Sequence, residues 1–270
     1  LCINAPGSCY GSTGPVSINP ETGKQWQADF PDITIRDIVT FQQLLLDKWD
    51  ITGIEMVIGG SMGGMIALEF ALMDPRVHSA ALFAMGKSHS PWAIGISEAQ
   101  RQAIQADENW KGGFYNQDNP PKKGLAAARA MAMITYRTPE NYQTKFSREI
   151  HPEKNIYQVE SYLRYQGEKL VQRFDANTYI ILSQAMDSHD ISRNRGSFKE
   201  VLGKLHKPVL IAGFTSDLLY PIEEQRELAG LIPTSHLAEL DSPYGHDAFL
   251  IEFEKLNAEL KSFYNFQKEN

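Results

Sequence analysis

The sequence predicts an α/β protein with a mostly parallel central sheet, and three observations carry that prediction. Short apolar runs alternate with helix-period segments over residues 1–86. One run, VIGGSMGGMIALEFAL (Val57–Leu72), passes through a glycine-rich turn directly into an apolar helix pattern. A helix-like tract over residues 87–205 then separates this region from the next strand pattern, KPVLIAGF (Lys207–Phe214). A chain of 270 residues can bury a full core as one large domain. The organisation expected is a first part of the sheet core (1–86), a helical insertion acting as a lid (87–205) and a second part of the core (206–270).

Each element follows from local pattern. Leu1–Ala5 reads as a strand already under way, with neither an initiator Met nor the basic-then-apolar pattern of a signal peptide, so the natural N-terminus is expected to be missing. Gly7–Asp32 is rich in Gly, Pro, Ser and Asn and reads as a long loop. Thr34–Trp49 reads as a helix, with Thr34 placed to cap it, Ile35, Ile38, Val39, Leu45 and Leu46 apolar, and Gly53 beyond its end. Glu55–Ile58 is a short buried strand; after Gly64 the residues Met65, Ile66, Leu68, Phe70 and Leu72 continue as a helix; His78–Met85 is the next strand. In the insertion the helix-like tracts are Ser97–Asp107, Lys123–Tyr136 and Gln158–Met186. Lys207–Phe214 and His236–Leu240 restore the strand pattern, and Ala248–Tyr264 closes as an amphipathic helix.

Composition excludes several function classes. Hydrophobic content of 42% with 22% charged residues is that of an ordinary globular chain. A net charge of −7 without a basic stripe argues against a nucleic-acid partner. No apolar run approaches the roughly 20 residues of a membrane span. Two cysteines, Cys2 and Cys9, are too few for a disulfide framework and favour a reducing, cytoplasmic setting. No His/Cys/Asp/Glu group has metal-ligand spacing, and GGSMGG lacks the Lys of a phosphate loop, so no metal is expected.

The chemistry centres on Ser61. Gly59-Gly60-Ser61-Met62-Gly63 fits G-x-S-x-G, and its strand and helix flanks give the setting of a nucleophile on a sharp turn. A serine hydroxyl needs a base to take its proton, and the base needs a third group to orient it. Asp217 in FTSDLLYP follows one later strand, and His246 in DSPYGHDAF follows the next. That order and placement suit a Ser–Asp–His triad. The backbone N–H of Met62, directly after the nucleophile, is the expected oxyanion donor. Among the alternatives, Asp241 is expected to cap a turn, and His78, His89, His151, His206 and His236 to pack or lie on the surface. His189 in MDSHDISRNRG could line a cleft, while Ser12 and Cys9 lack an elbow around them.

Longer stretches go beyond a fold-level likeness. GSCYGSTGPVSINPETGK (Gly7–Lys24), IGGSMGGM (Ile58–Met65) and SYLRYQGEKLVQRFDANTY (Ser161–Tyr179), with FTSDLLYP and YGHDAF, resemble the homoserine O-acetyltransferase family of methionine biosynthesis over essentially the whole chain. The resemblance implies an α/β-hydrolase fold with a helical lid and a homodimer formed through that lid. It implies transfer of acetyl from acetyl-CoA, a co-substrate rather than a bound cofactor, to the hydroxyl of L-homoserine. It further implies Ser61 as the acylated nucleophile, His246 as base and Asp217 as its partner. Arg173, Asp247 and Tyr179 are then the substrate-binding residues: a zwitterionic amino acid calls for a cation at its carboxylate and an anion at its ammonium, roles suited to Arg173 and Asp247. Ser8 stands where the family often has glycine, and the family's N-terminal strands and second oxyanion loop are expected to be absent. Succinyl-CoA as donor, serine as acceptor and simple ester hydrolysis stay open from these residues alone.

Overall fold

The computed structural model describes residues 1–269. In chain order its main elements are α1 (Ile35–Lys48), β1 (Ile54–Gly60), α2 (Met62–Met73), β2 (Val77–Phe83), α3 (Pro91–Gln105), α4 (Lys122–Thr135), α5 (Pro139–Phe146), α6 (Gln158–Val171) and α7 (Ala176–Asp187). They continue with α8 (Phe198–Leu202), β3 (Val209–Phe214), α9 (Ile222–Leu231), β4 (Ser235–Leu240), α10 (Ala248–Ile251) and α11 (Phe253–Glu269). The chain divides into two compact units, one built on the sheet and one of helices.

The sheet unit comprises Ile35–Ser90, Tyr136–Thr138 and Ser188–Asn270. Its four strands run parallel in the order β1-β2-β3-β4. Parallel strands covered on both faces read as continuous apolar runs, and the two central strands do: VHSAALF is buried at all but His78, and VLIAGF throughout. The outer strands β1 and β4 carry more exposed positions. Beneath the sheet Phe83, Leu210, Ala212 and Phe214 pack with Ala248, Leu256 and Phe263 of α10 and α11. Full burial of a side chain such as Phe214 contributes about 1.5–3 kcal/mol. The register aligns Gly60, Phe83, Ala212 and Ala238 in one row across the sheet. Whatever follows that row in each strand therefore emerges at a common C-terminal edge, the place where open α/β sheets bind their ligands.

The helical unit comprises Leu1–Thr34, Pro91–Thr135 and Pro139–Asp187. Its core is Ile104, Tyr115, Leu125, Ala128, Leu170, Ala176 and Ile180. Small residues set the helix spacing: a Cβ on Gly167 would stand 2.8 Å from the Ala126 carbonyl oxygen, and one on Gly124 2.6 Å from that of Ala103.

Several elements differ from the sequence expectation, each for a local reason. The tract Gln158–Met186 is two helices, because Asp175 accepts a hydrogen bond from the Thr178 amide at 2.8 Å and starts α7 afresh. The closing helix breaks at Glu252, whose ψ of 43° is not helical. Helix α3 begins at Pro91, six residues before Ser97, since proline fits a first turn that needs no N–H. Leu1–Ala5 forms no strand. A strand needs a ladder partner, and the hydrogen bonds there are local instead: Ser8 N–H to Ala5 O, and Ser12 Oγ to Asn4 O. Residues 1–34 are compact with the helices rather than with the sheet. Tyr10 donates to Arg173 O at 2.8 Å and Gln27 to Tyr115 O at 3.2 Å, while Gly7 lies against Ile33 and Ile181.

Candidate active site

Ser61 is the single residue between β1 and α2, and its backbone is held at φ 52°, ψ −125°. A non-glycine residue in so sparse a region costs about 1–3 kcal/mol, which the surrounding bonds must offset. They do so from both sides: the Ser61 amide donates to Phe83 O on β2 at 2.9 Å, and Ser61 O accepts from the amides of Gly64 and Met65. The turn closes so tightly that a Cβ on Gly59 would lie 2.1 Å from Gly63 O, and one on Gly64 2.6 Å from Met85 Cγ. By contrast, Gly63 faces open space. The crowding that demands glycine thus falls on Gly59 and Gly64, and on Gly60, where a Cβ would lie 2.5 Å from the Phe249 ring. Met62 is the first residue of α2, so its N–H is one of the helix donors without an intrahelical acceptor.

The other two residues arrive from the same edge of the sheet. Asp217 lies on the turn after β3, its amide bonded back to Phe214 O at 3.0 Å. One carboxylate oxygen, Oδ1, accepts from the amides of Leu219 (2.8 Å) and Tyr220 (3.0 Å), leaving Oδ2 to meet His246 Nδ1 at 2.8 Å. His246 follows β4 in a short helical turn, Gly245–Asp247, entered through Gly245 at φ 62°. Its Nε2 lies 3.0 Å from Ser61 Oγ. Asp217 is 4% and His246 3% exposed, and the imidazole is walled by the rings of Tyr136, Tyr220 and Phe249 at 5.3–5.5 Å. A carboxylate at Nδ1 fixes the tautomer with its proton there and leaves Nε2 as the acceptor facing the serine.

Asp247 points into a second pairing. Its amide donates to Tyr136 O at 3.1 Å, and its Oδ2 lies 2.9 Å from Arg137 Nε, a partly buried ion pair set off the line of an ideal hydrogen bond. Thr138 Oγ1 donates to Pro243 O at 2.7 Å and ties the tripeptide Tyr136–Thr138 to the histidine loop. Sequence reasoning missed Arg137. The signal was the interruption of the helix pattern at YRTPE, where Thr138 precedes Pro139 and the chain must leave α4.

The remaining expected residues make the following contacts. Arg173 and Tyr179 belong to the helical unit: Arg173 Nη1 donates to Tyr10 Oη at 2.9 Å, and Tyr179 Oη to Gln100 Oε1 at 2.7 Å. Phe174 sits against both Tyr10 and Tyr179. Asp241 accepts from Thr215 at 3.2 Å on the exposed end of β4. His189 is buried, with Nε2 donating to Gly86 O at 3.1 Å. Two hollows of about 760 and 780 Å³ lie at the other end of the strands, around Lys207–Pro208 and His236. Among the described residues no group of three or more His, Cys, Asp or Glu could hold a metal ion, no helix is long and apolar enough to cross a membrane, and both cysteines are unpaired.

A parallel sheet with a serine on a strained strand-to-helix turn, met by histidine and aspartate from later strand ends, defines the α/β-hydrolase class. The family model described as alpha/beta hydrolase fold matches residues 1–253. Within that class the chain is 54% identical over 264 residues to the homoserine O-acetyltransferase of Chloroherpeton thalassium, covering 97% of this chain and 70% of the relative. It superposes on the crystal structure of homoserine O-acetyltransferase from Bacillus anthracis with a TM-score of 0.87 at 28% identity, covering 94% of this chain and 70% of that one. The chain belongs to the homoserine O-acetyltransferase family. Esterase E22 is also similar, with a TM-score of 0.85 at 25% identity over 94% of this chain and 72% of that one. The fold thus serves hydrolases as well as transferases, and the acceptor must be argued from the site.

Proposed function

We propose that this chain transfers the acetyl group of acetyl-CoA to the hydroxyl of L-homoserine through an acetyl-Ser61 intermediate. One observation carries the choice of acceptor: Arg137 and Asp247 form an ion pair beginning one residue after His246. Homoserine bears a carboxylate and an ammonium, and this pair offers the complement of each. A simple ester hydrolase has no use for such a couple. The scheme adds Arg137, which neighbours Asp247, to the expected Arg173 as a cation for the carboxylate.

In the first half-reaction His246 Nε2 takes the proton of Ser61 Oγ, and Oγ attacks the thioester carbonyl. Met62 N–H faces the developing oxyanion, and helix α2 behind it adds its N-terminal dipole. The carbon–sulfur bond breaks and sulfur leaves with the proton from His246. In the second, His246 takes the homoserine hydroxyl proton, that oxygen attacks the acetyl carbon, and the carbon–Oγ bond breaks as Oγ recovers the proton. Asp217 keeps His246 in the orientation both steps need. No resident cofactor takes part; the acetyl group arrives on acetyl-CoA.

The proposal extends to a homodimer through the helical insertion and to a cytoplasmic setting. Met131, Ile134 and Tyr165, apolar and exposed on α4 and α6, support the first, and the unpaired Cys2 and Cys9 support the second. Solution mass of the full chain checks the dimer.

The test of function is CoA release from acetyl-CoA with L-homoserine, L-serine or no acceptor, for wild type and Ser61→Ala. Release that requires homoserine and falls about 10⁴-fold or more in the variant is the expected result. Equal release without acceptor identifies a hydrolase. Release only with succinyl-CoA, or only with serine, moves the assignment within the family.

A further inference from the structure

Tyr220 stands three residues after Asp217 and takes no part in the scheme above, yet it is among the largest fully buried side chains, at 0% exposure. Its ring lies 5.3 Å from that of His246 and is stacked on His89 at 6.0 Å. Its backbone amide is one of the two that hold Asp217 Oδ1. Ring and backbone are therefore both fixed. The hydroxyl is not: it is buried without a well-formed hydrogen bond among the described residues. A buried polar group left in this condition calls for an explanation, and a role in the reaction cycle is one. Ser61 acts on this hydroxyl as a hydrogen-bonding neighbour, and Tyr136, Glu224 and Asp217 act on it electrostatically. Burial, reinforced by Tyr136 and by the Glu224 and Asp217 carboxylates, holds the phenol far above its ordinary range, so it keeps its proton throughout the working pH range.

We propose that Tyr220 is a positioning residue for the nucleophile, its O–H turning to donate to Ser61 Oγ when that oxygen carries negative charge. The inference rests on the acetyl-Ser61 reading. Oγ bears charge twice, as it attacks and as it departs. On attack a donated hydrogen bond steadies the oxygen but also blunts its nucleophilicity, so the two effects oppose. On departure they agree. The carbon–Oγ bond breaks, its electron pair moves to Oγ, and the proton returns from His246, while Tyr220 keeps its own proton and only donates the hydrogen bond. The phenol therefore favours deacylation over acylation.

Tyr220→Phe removes the hydroxyl alone. Since an unsatisfied buried group is lost with it, the variant is expected to melt at or above the wild-type temperature. Rapid-quench mass spectrometry of acetyl-Ser61, with acetyl-CoA and then homoserine, reads the two half-reactions separately. The expected result is acetylation within about threefold of wild type and deacylation slower by about 10–100-fold, the range of a hydrogen bond to a charged group. In the steady state kcat and KM for acetyl-CoA then fall together, their ratio held. Equal slowing of both steps, or no slowing, overturns the proposal, as either is what a packing role gives. Wild type that shows no acetyl-Ser61 overturns the acyl-enzyme reading and this inference with it. Should Tyr220→Phe not fold, 3-fluorotyrosine at position 220 reads the same bond. The more acidic phenol is expected to speed deacylation, and an unchanged rate counts against the proposal.

Discussion

The two units of this molecule use their polar side chains differently. In the sheet unit the buried Asp217 and His246 and the half-buried Ser61 bond in series toward the Ser61 hydroxyl, and the backbone around them makes the bonds that hold them. In the helical unit they close on each other. Tyr115 Oη donates to Asp175 and accepts from the Asn177 amide, Asn177 Nδ2 reaches Gly113 O, and Tyr179 is taken by Gln100. The aromatic cluster of Tyr142, Phe146 and Tyr162 is likewise internal to that unit. A chain ending at a reactive serine carries chemistry; a closed network carries shape. Substitutions in the two should separate accordingly, activity on one side and stability on the other.

His189 tests the boundary of that rule, as a buried titratable group in the sheet unit that does not touch the triad. Burial lowers its pKa to about 4, the hydrogen bond to Gly86 O opposing and His89 adding to the shift. Between the ordinary histidine value near 6.5 and this one, the unfolded chain binds a proton that the folded chain does not. Stability must therefore fall as pH falls through that window, by roughly 3 kcal/mol for this residue. His189→Gln retains a donor for Gly86 and does not titrate. Denaturant unfolding at pH 7 and pH 4 should show a smaller acid loss in the variant; an equal loss would place the titration elsewhere.

Asp247→Asn sharpens the comparison from the chemical side. It keeps the shape beside Arg137 but removes the charge offered to an ammonium. The expected outcome is a drop in kcat/KM for homoserine of about 10–100-fold, the magnitude of a charge-assisted hydrogen bond. Acetylation of Ser61 should stay within a few-fold of wild type. If both half-reactions fell equally, Asp247 would serve the histidine loop rather than the acceptor.

The same division explains what the sequence could and could not reveal. Ser61, Asp217 and His246 were legible because strand patterns ended just before them, so position along the chain implied a place on the sheet. Arg137 was not, because no pattern ties a residue between α4 and α5 to the loop after β4; the link is made by the Thr138 and Asp247 hydrogen bonds. Period-based reading also ran α6 and α7 together. A capping aspartate is a single residue, and RFDAN keeps the apolar spacing while Asp175 turns the chain. For residues 1–34 the fold depended on contacts with Arg173, Tyr115 and Ile181, far along the sequence, where local pattern has no reach.

Asp175 supplies the smallest and most discriminating test. Its Oδ2 caps α7 through the Thr178 amide, and its Oδ1 accepts from Tyr115. Burial, with the Asp175 charge beside it, pushes the Tyr115 phenol far above its usual range, so this donor does not ionise in any ordinary buffer. Asp175→Asn keeps an acceptor for the cap, whereas Asp175→Ala removes it and strands the phenol as well. The alanine variant should therefore lose about 1–2 kcal/mol of unfolding free energy, and the asparagine variant less than half of that. Neither should alter the rate at which Ser61 is acetylated at a temperature where the protein stays folded. A fall in that rate with stability unchanged would mean that the helical network reports to the nucleophile, and the separation of chemistry from shape would fail at the point where it is most exposed.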